Sequence, residues 1–452
     1  MLPKIVLYSW LPCILVLFAM LPPRRAIIAT MLGAWLFLPV YNISIIGLPD
    51  LNKMTVSAIG IFAGSVLFDH YKIFRVKYQW FDIPAFVLMV QPTITSYLNG
   101  LGIYDGLSNS LDTFFGFGLF YMIGRAYFSE LVAIRELAYG ILIGGVIYVP
   151  FVFWESRMSP QLHRIVYGID ASPFHMAVRM GGFRPSVFMK SGLALGVWMS
   201  ATAMLGLWMW WTGSLKRVLN MPPLAVVAAL MLAFLLTRSA GAFVYFAIGG
   251  AILMCVYYTK QRWPLLLLVG SIALFLLVRG SGSWDAKPII DLAGRVFGEE
   301  RAASIEIRVR NDSMMAEKAR EQLMFGWGGW GRFRVTDAKG RDVSVTDSMW
   351  TIQFGTRGLV GLVCVFGIHL LPILLLIYRF PPRLWQHPLI SPTIGLAVLV
   401  AMYMLDCLLN WMPNPIFTMT AGAVAGLRMP TPVLIRVPVS NENLTTTKSY
   451  VY

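Results

Sequence analysis

The residues able to do chemistry in this chain are the few charged ones standing at the ends of apolar runs. Arg238 lies in Leu236-Thr237-Arg238-Ser239-Ala240-Gly241, at the outer end of one such run. A charge at that depth is costly and calls for a partner or a polar cavity. A guanidinium there can grip a phosphate through its planar fork, or it can be an interfacial arginine reaching for headgroups. Arg308 and Arg310, in Ser304-Ile305-Glu306-Ile307-Arg308-Val309-Arg310, are two apart, so at most one can point at a site while the other pairs on a solvated face. Asp347 stands just before a long apolar run. It can act as a general base toward a hydroxyl, or as an N-cap or first-turn charge. His163 and His175 read as surface residues or, failing Asp347, as fallback bases, and His369, inside an apolar run, is expected to hydrogen-bond within the protein. Arg184 follows Gly181-Gly182-Phe183, and Glu155 and Arg157 open the same segment. These three read either as the mouth of a cavity or as an interfacial salt-bridge set.

The elements that position them are apolar helices. The chain is 57% hydrophobic and 13% charged, with mean hydropathy +0.67, about half the charge of a soluble domain. Its apolar runs are long enough to cross a hydrocarbon core of roughly 30 Å. They are continuous rather than alternating, which excludes a β-barrel. The expected fold is an all-α, polytopic transmembrane bundle of twelve or thirteen helices, one of them at 106–124, with a large loop between the tenth (264–279) and the eleventh (351–378). The segments are N-terminal membrane helices at 1–154, a first outer loop at 155–186, central helices at 187–279, an outer cap at 280–350, C-terminal helices at 351–428 and a cytoplasmic tail at 429–452. The first apolar run reads as a retained helix rather than a cleaved leader.

Net charge is +15, but its placement is topological. Arg24-Arg25, Lys72, Arg75, Lys77, Arg125, Lys216-Arg217, Lys260, Arg262, Arg379 and Arg383 fall in one set of short loops, and Asp50, Asp105 and Asp112 in the alternate set. This is the positive-inside pattern, and no nucleic-acid motif accompanies it. Cys13, Cys255, Cys364 and Cys407 sit in apolar runs without metal or redox spacing, so neither a disulfide nor a zinc site is expected.

The large insert, Arg279 to Trp350, holds twelve Lys/Arg and eleven Asp/Glu and reads as a folded cap. Glu299 to Phe325 has helical spacing. The run Gly326-Trp327-Gly328-Gly329-Trp330-Gly331 then breaks the helix and allows close backbone approach. Arg332 to Thr346 reads as a short hairpin turning at Ala338-Lys339-Gly340. Internal repeats are not evident, which weighs against an inverted-repeat transporter.

The order of these pieces resembles the O-antigen polymerase and O-antigen ligase superfamily of bacterial envelope enzymes. A Thr-Arg-Ser motif at a helix end is followed by a helix pair. A large outer loop comes next, carrying Arg308 ahead of Gly326–Gly331, and then Asp347 and a helix with Gly358-Leu359-Val360-Gly361. Phe153-Trp154-Glu155-Ser156-Arg157 and Phe183-Arg184-Pro185-Ser186-Val187-Phe188 look like that family's first outer loop. The resemblance covers about residues 150–365. It implies a multi-pass protein of the bacterial inner membrane with its active site facing the periplasm. The donor would be an undecaprenyl-diphosphate-linked glycan and the acceptor another glycan, with no cofactor, metal or nucleotide sugar. Membrane lipid and chain-length regulator or flippase proteins would be its partners. By position Arg238, Arg308 and Arg184 match the diphosphate-binding arginines, with Arg310 second to Arg308. Trp327 and Trp330 would stack on sugar faces or belong to the interfacial aromatic belt. The ligases carry a histidine where this chain has Asp347, which favours a polymerase. A lipid-linked glycan flippase is the competing reading and predicts charges buried midway along broken helices. A non-catalytic scaffold predicts dispensable arginines.

Overall fold

The computed structural model describes residues 1–45, 48–179, 181–284, 287–345 and 347–428; the expected tail at 429–452 lies outside them. The chain is 72% helical. Its named strands, β1 (Val178–Arg179) and β2 (Gly182–Phe183), are two residues each and pair antiparallel, so the class is all-α.

The helices are α1 (Leu2–Met20), α2 (Pro23–Phe37), α3 (Lys53–Phe74), α4 (Ile83–Leu98), α5 (Ile103–Thr113), α6 (Leu119–Tyr127), α7 (Leu131–Met158), α8 (Leu162–Tyr167) and α9 (Gly192–Trp211). They continue with α10 (Pro223–Leu236), α11 (Ala240–Thr259), α12 (Trp263–Ser281), α13 (Lys287–Phe297), α14 (Glu299–Arg320), α15 (Met349–Arg379), α16 (Ser391–Asp406) and α17 (Pro415–Gly426). Six of them (α1, α7, α9, α11, α12 and α15) are long and apolar enough to cross a membrane. Their outward faces carry exposed apolar side chains such as Leu274, Leu277 and Val363. A surface of that kind is at home in lipid, where the helix satisfies its own backbone.

One expectation is corrected. Asp105 and Asp112 are not loop residues: Asp105 lies in the first turn of α5 and Asp112 near its end. A π-helical turn, Phe114–Gly118, joins α5 to α6. Two polar side chains of α5, Asp105 and Ser110, are directed at those of α4. Ser96 donates to the Asp105 carboxylate at 3.0 Å, and the Thr93 and Ser110 hydroxyls are 2.8 Å apart. Polarity facing a neighbouring helix looks, in sequence, like polarity facing water.

The two ends of the bundle differ. At one, Arg24 and Arg25 pair with Glu130 and Glu136, and a buried ion pair joins Arg125 to Asp82. At the other, the insert folds as a cap. Its helix α14 ends at Arg320, short of the expected Phe325, and α13 precedes it. The expected hairpin is a tight turn held by one bridge, Thr336 to Asp342.

The cap is joined to the bundle by a backbone dovetail. Helix α15 breaks at Gly358 (φ 66, ψ −164), which leaves carbonyls and amides on either side without helical partners. The chain after α14 supplies them. Trp327 N–H and Gly328 N–H donate to the carbonyls of Gly355 and Thr356 at 2.8 and 3.0 Å. Leu359 N–H and Val360 N–H donate to those of Leu323 and Met324 at 2.7 and 3.2 Å. From α4, Gln91, Thr95 and Asn99 donate to the carbonyls of Phe325 and Gly326. The close approach predicted for the glycine run is therefore to Gly358, and the two glycine motifs form one joint.

Candidate functional site

The cap places the inner face of α14 over the ends of α11 and α16. Arg308 and Asp312, four residues apart, share that face with the buried Met315, Ala316 and Ala319. Arg308 is half-buried, and Arg310, on the opposite side, is exposed.

Arg308 Nη1 donates to Asn410 Oδ1 at 3.4 Å, and Asn410 Nδ2 donates to Asp406 Oδ1 at 2.6 Å. Asp406 is the last residue of α16 and is fully enclosed. The Tyr245 hydroxyl stands close enough to couple to its carboxylate, yet Oδ2 lacks a well-formed hydrogen bond among the described residues. The Tyr245 ring folds back along the first turn of α11 toward Gly241, three residues past Arg238.

Arg238 occupies the turn between α10 and α11, in a left-handed conformation (φ 48) that a non-glycine residue adopts only under constraint. Its guanidinium presses on the backbone at Gly182. Nη1 is closed off from solvent and has no hydrogen-bond partner among the described residues. Beside it, buried Arg184 donates from Nη2 to Ser239 Oγ at 2.9 Å. Arg184 and Arg238 thus share one short turn.

Asp312 is a buried carboxylate. Burial pushes it up to about 6, although the Ser348 hydroxyl (2.6 Å from Oδ1) and the Arg279 guanidinium pull it down. Arg279 in turn donates to Val309 O and Ser313 Oγ, which ties the end of α12 to α14. Asp347 is exposed and lies one residue ahead of the N-cap Ser348, so it is not itself the cap. Its carboxylate forms no hydrogen bond or ion pair among the described residues.

The remaining candidates lie apart from this cluster or serve the backbone. Glu155 is buried and accepts from Leu162 N, Ser186 N and Val187 N at 2.9, 2.8 and 2.6 Å. It forms no salt bridge with Arg157, which is exposed, so the salt-bridge-set reading is corrected: the carboxylate pins the loop that carries Arg184. His163 is not the surface residue expected from the sequence but is buried between two backbone groups, Ile169 O on Nδ1 and Val40 N on Nε2, and burial lowers its pKa. The side chain of His175 lies outside the described residues. His369 is buried between Val365 O and Thr418 Oγ1, as expected. Trp327 Nε1 donates to Lys318 O, and the Lys318 ammonium covers one face of its ring at 4.0 Å. Trp330 is 83% exposed and offers the more open ring.

Sequence reasoning missed Asp406, Asn410, Tyr245 and Asp312. The signal for Asp406 was present: a lone carboxylate at the end of an apolar run is as costly as the arginine that was noticed. For Asp312 it was the four-residue step from Arg308.

Fold and surface define a helical membrane protein with a folded cap over an arginine-bearing bundle end. Compared with known proteins, the chain matches no family model and no curated sequence.

Proposed function

We propose that this protein is a glycosyltransferase of the O-antigen polymerase type. It joins undecaprenyl-diphosphate-linked repeat units on the periplasmic face of a bacterial inner membrane. The observation that carries the reading is the Arg238 guanidinium, held at the bundle end near Arg184: Arg238 Nη1 is closed off from water and has no hydrogen-bond partner among the described residues. A buried donor left unsatisfied is expensive, and an incoming phosphate oxygen would satisfy it.

In the reaction, Arg184, Arg238 and Arg308 hold the diphosphate. A carboxylate takes the proton of an acceptor sugar hydroxyl. That oxygen attacks the anomeric carbon with inversion, and the bond to the diphosphate breaks, its electron pair leaving with the phosphate. Asp347 is the exposed base candidate. Asp312, near 6, is the one whose environment is tuned for proton transfer at neutral pH. Trp330 stacks on sugar.

One observation favours the flippase reading. Arg357 is half-buried beside the break in α15, donating to Gln353 and Thr113, and a charge inside a broken helix is what that reading predicts. The backbone groups around that break are met by the cap, which suits a fixed joint better than a moving gate.

The test is polymer length in a polysaccharide-producing host lacking its own polymerase, with membrane levels checked. Arg238→Ala should reduce polymer by about a hundredfold or more, with single repeat units accumulating on the carrier at the periplasmic face. Asp347→Asn and Asp312→Asn decide between the two bases. Units trapped on the cytoplasmic face would mean a flippase. Normal polymer from Arg184→Ala, Arg238→Ala and Arg308→Ala alike would refute the site.

A further inference from the structure

At the end of the bundle away from the cap, α3 is interrupted. Asp69 leaves helical geometry (φ −153, ψ 46), and its carbonyl receives the Tyr127 hydroxyl. The last turn presents Tyr71 and Phe74, 61% and 70% exposed, in line with exposed Leu67 and Phe68. Lys72 and Arg75 from the same turn lie over the rings of Tyr127 and Tyr71.

Between this turn and the ends of α6 and α17 is a cavity of about 500 Å³, with Lys72, Arg75, Lys77, Arg125, Arg428 and Asp69 on its wall. The charge of Arg125 is already matched, its guanidinium lying 2.8 and 2.9 Å from the two Asp82 oxygens. Lys72, Arg75, Lys77 and Arg428 form no ion pair among the described residues. Four cations thus face one wall carboxylate. Arg379 stands near Arg125 and Arg428 and is held by the carbonyls of Ala425 and Leu427, which adds to the positive field. Like charges crowded in this way repel unless an anion joins them.

We propose that this groove is a binding site for the phosphate of an anionic phospholipid. The apolar strip decides between a lipid and a free phosphate. Leu67, Phe68, Tyr71 and Phe74 lead away from the groove along α3 and provide a surface for acyl chains. A basic pocket between helix ends beside exposed apolar and aromatic side chains is the arrangement that holds lipid headgroups. The site is separate from the capped end and does not depend on the glycosyltransferase reading.

The test uses purified full-length protein in neutral detergent, with thermal unfolding followed as dioctanoyl phosphatidylglycerol, dioctanoyl phosphatidylcholine or inorganic phosphate is added. Phosphatidylglycerol should raise the midpoint; the other two should not. In the triple variant Arg75→Gln, Lys77→Gln, Arg428→Gln, the apparent affinity should fall about fivefold per charge, on the order of a hundredfold in all. The pair Arg262→Gln, Arg383→Gln, exposed basic residues outside the groove, should retain it. Unchanged affinity in the triple variant, an equal loss in the control pair, or an equal shift from inorganic phosphate would each overturn the proposal. Should the triple variant not fold, native mass spectrometry of wild type from an equal mixture of the two lipids decides: about tenfold retention of phosphatidylglycerol supports the site, and equal retention overturns it.

Discussion

Replacing Gly326 by alanine tests whether the dovetail holds the cap. Gly326 has φ +72, and a Cβ added there would lie 2.5 Å from Gly358 N and 2.6 Å from Arg357 N. Both are backbone atoms and cannot swing aside, so the joint must open. Opening it loses up to four backbone hydrogen bonds, those between 323–328 and 355–360. At about 1 kcal/mol each, with the left-handed backbone adding about 1 kcal/mol, the expected loss is roughly 4–5 kcal/mol. Gly340 supplies the control. It has nearly the same φ, +75, but nothing lies within 4 Å of an added Cβ. Gly340→Ala should therefore cost only about 1 kcal/mol. Unfolding of the two variants in mixed SDS micelles, followed by tryptophan fluorescence, gives the difference directly. If Gly326→Ala falls within about 1 kcal/mol of Gly340→Ala, the dovetail does not hold the cap as argued.

Four further outcomes are expected. Glu155→Gln turns an amide N–H₂ toward backbone donors and should cost about 2–4 kcal/mol in the same unfolding assay, with polymer lost because the Arg184 loop is released. Asp312 keeps its proton to about pH 6 when folded, against 3.8 for the ordinary group. Stability should therefore fall as pH rises through that window, and Asp312→Asn should remove the slope and add up to about 3 kcal/mol at neutral pH. His163, with its pKa lowered by burial from 6.5, should lose stability as pH drops below that value, and His163→Gln should abolish this pH dependence in the unfolding midpoint. Asn410→Asp should place a second carboxylate against Arg308 and weaken retention of a lipid diphosphate by about tenfold or more in a binding titration; unchanged binding would separate Arg308 from the donor.

The apolar runs and their long insert were legible because a bilayer imposes a length on every crossing helix, and composition over that length is hard to mistake. The glycine run before Arg332 was legible as a place of close approach, but its partner was not. Gly358 lies in another element, and nothing in either local sequence identifies the other. The polar residues of α5 were misplaced for a related reason. Asp105 marks a boundary with water only if no neighbour takes up its polarity, and Ser96 of α4 does. Glu155 looked like half of an ion pair because Arg157 is two residues away. In space it faces amides from 162, 186 and 187 instead. At the candidate site, arginines at helix ends stood out against apolar surroundings. Asp406 and Asn410, which orient Arg308, were hidden in an apolar run.

That arrangement at Arg308 bears on what the site can hold. An arginine partly withdrawn from water, as Arg308 is, is usually steadied by a carboxylate, which also cancels its charge. Here the carboxylate, Asp406, is held one step back, and the amide of Asn410 stands between. The amide accepts one hydrogen bond from the guanidinium and orients it, but it carries no charge, so most of the positive field is left for another anion. Arg238 is treated in a similar way: the strained turn and the backbone at Gly182 fix it by shape, with no acid among the described residues. Fixing cations by amides, glycine backbone and turn geometry uses up little of their charge. Arg125, at the other end of the bundle, shows the opposite solution, two short contacts to Asp82 that leave it structural. The contrast within one chain is between an arginine clamped by a carboxylate and arginines fixed by an amide or by backbone shape.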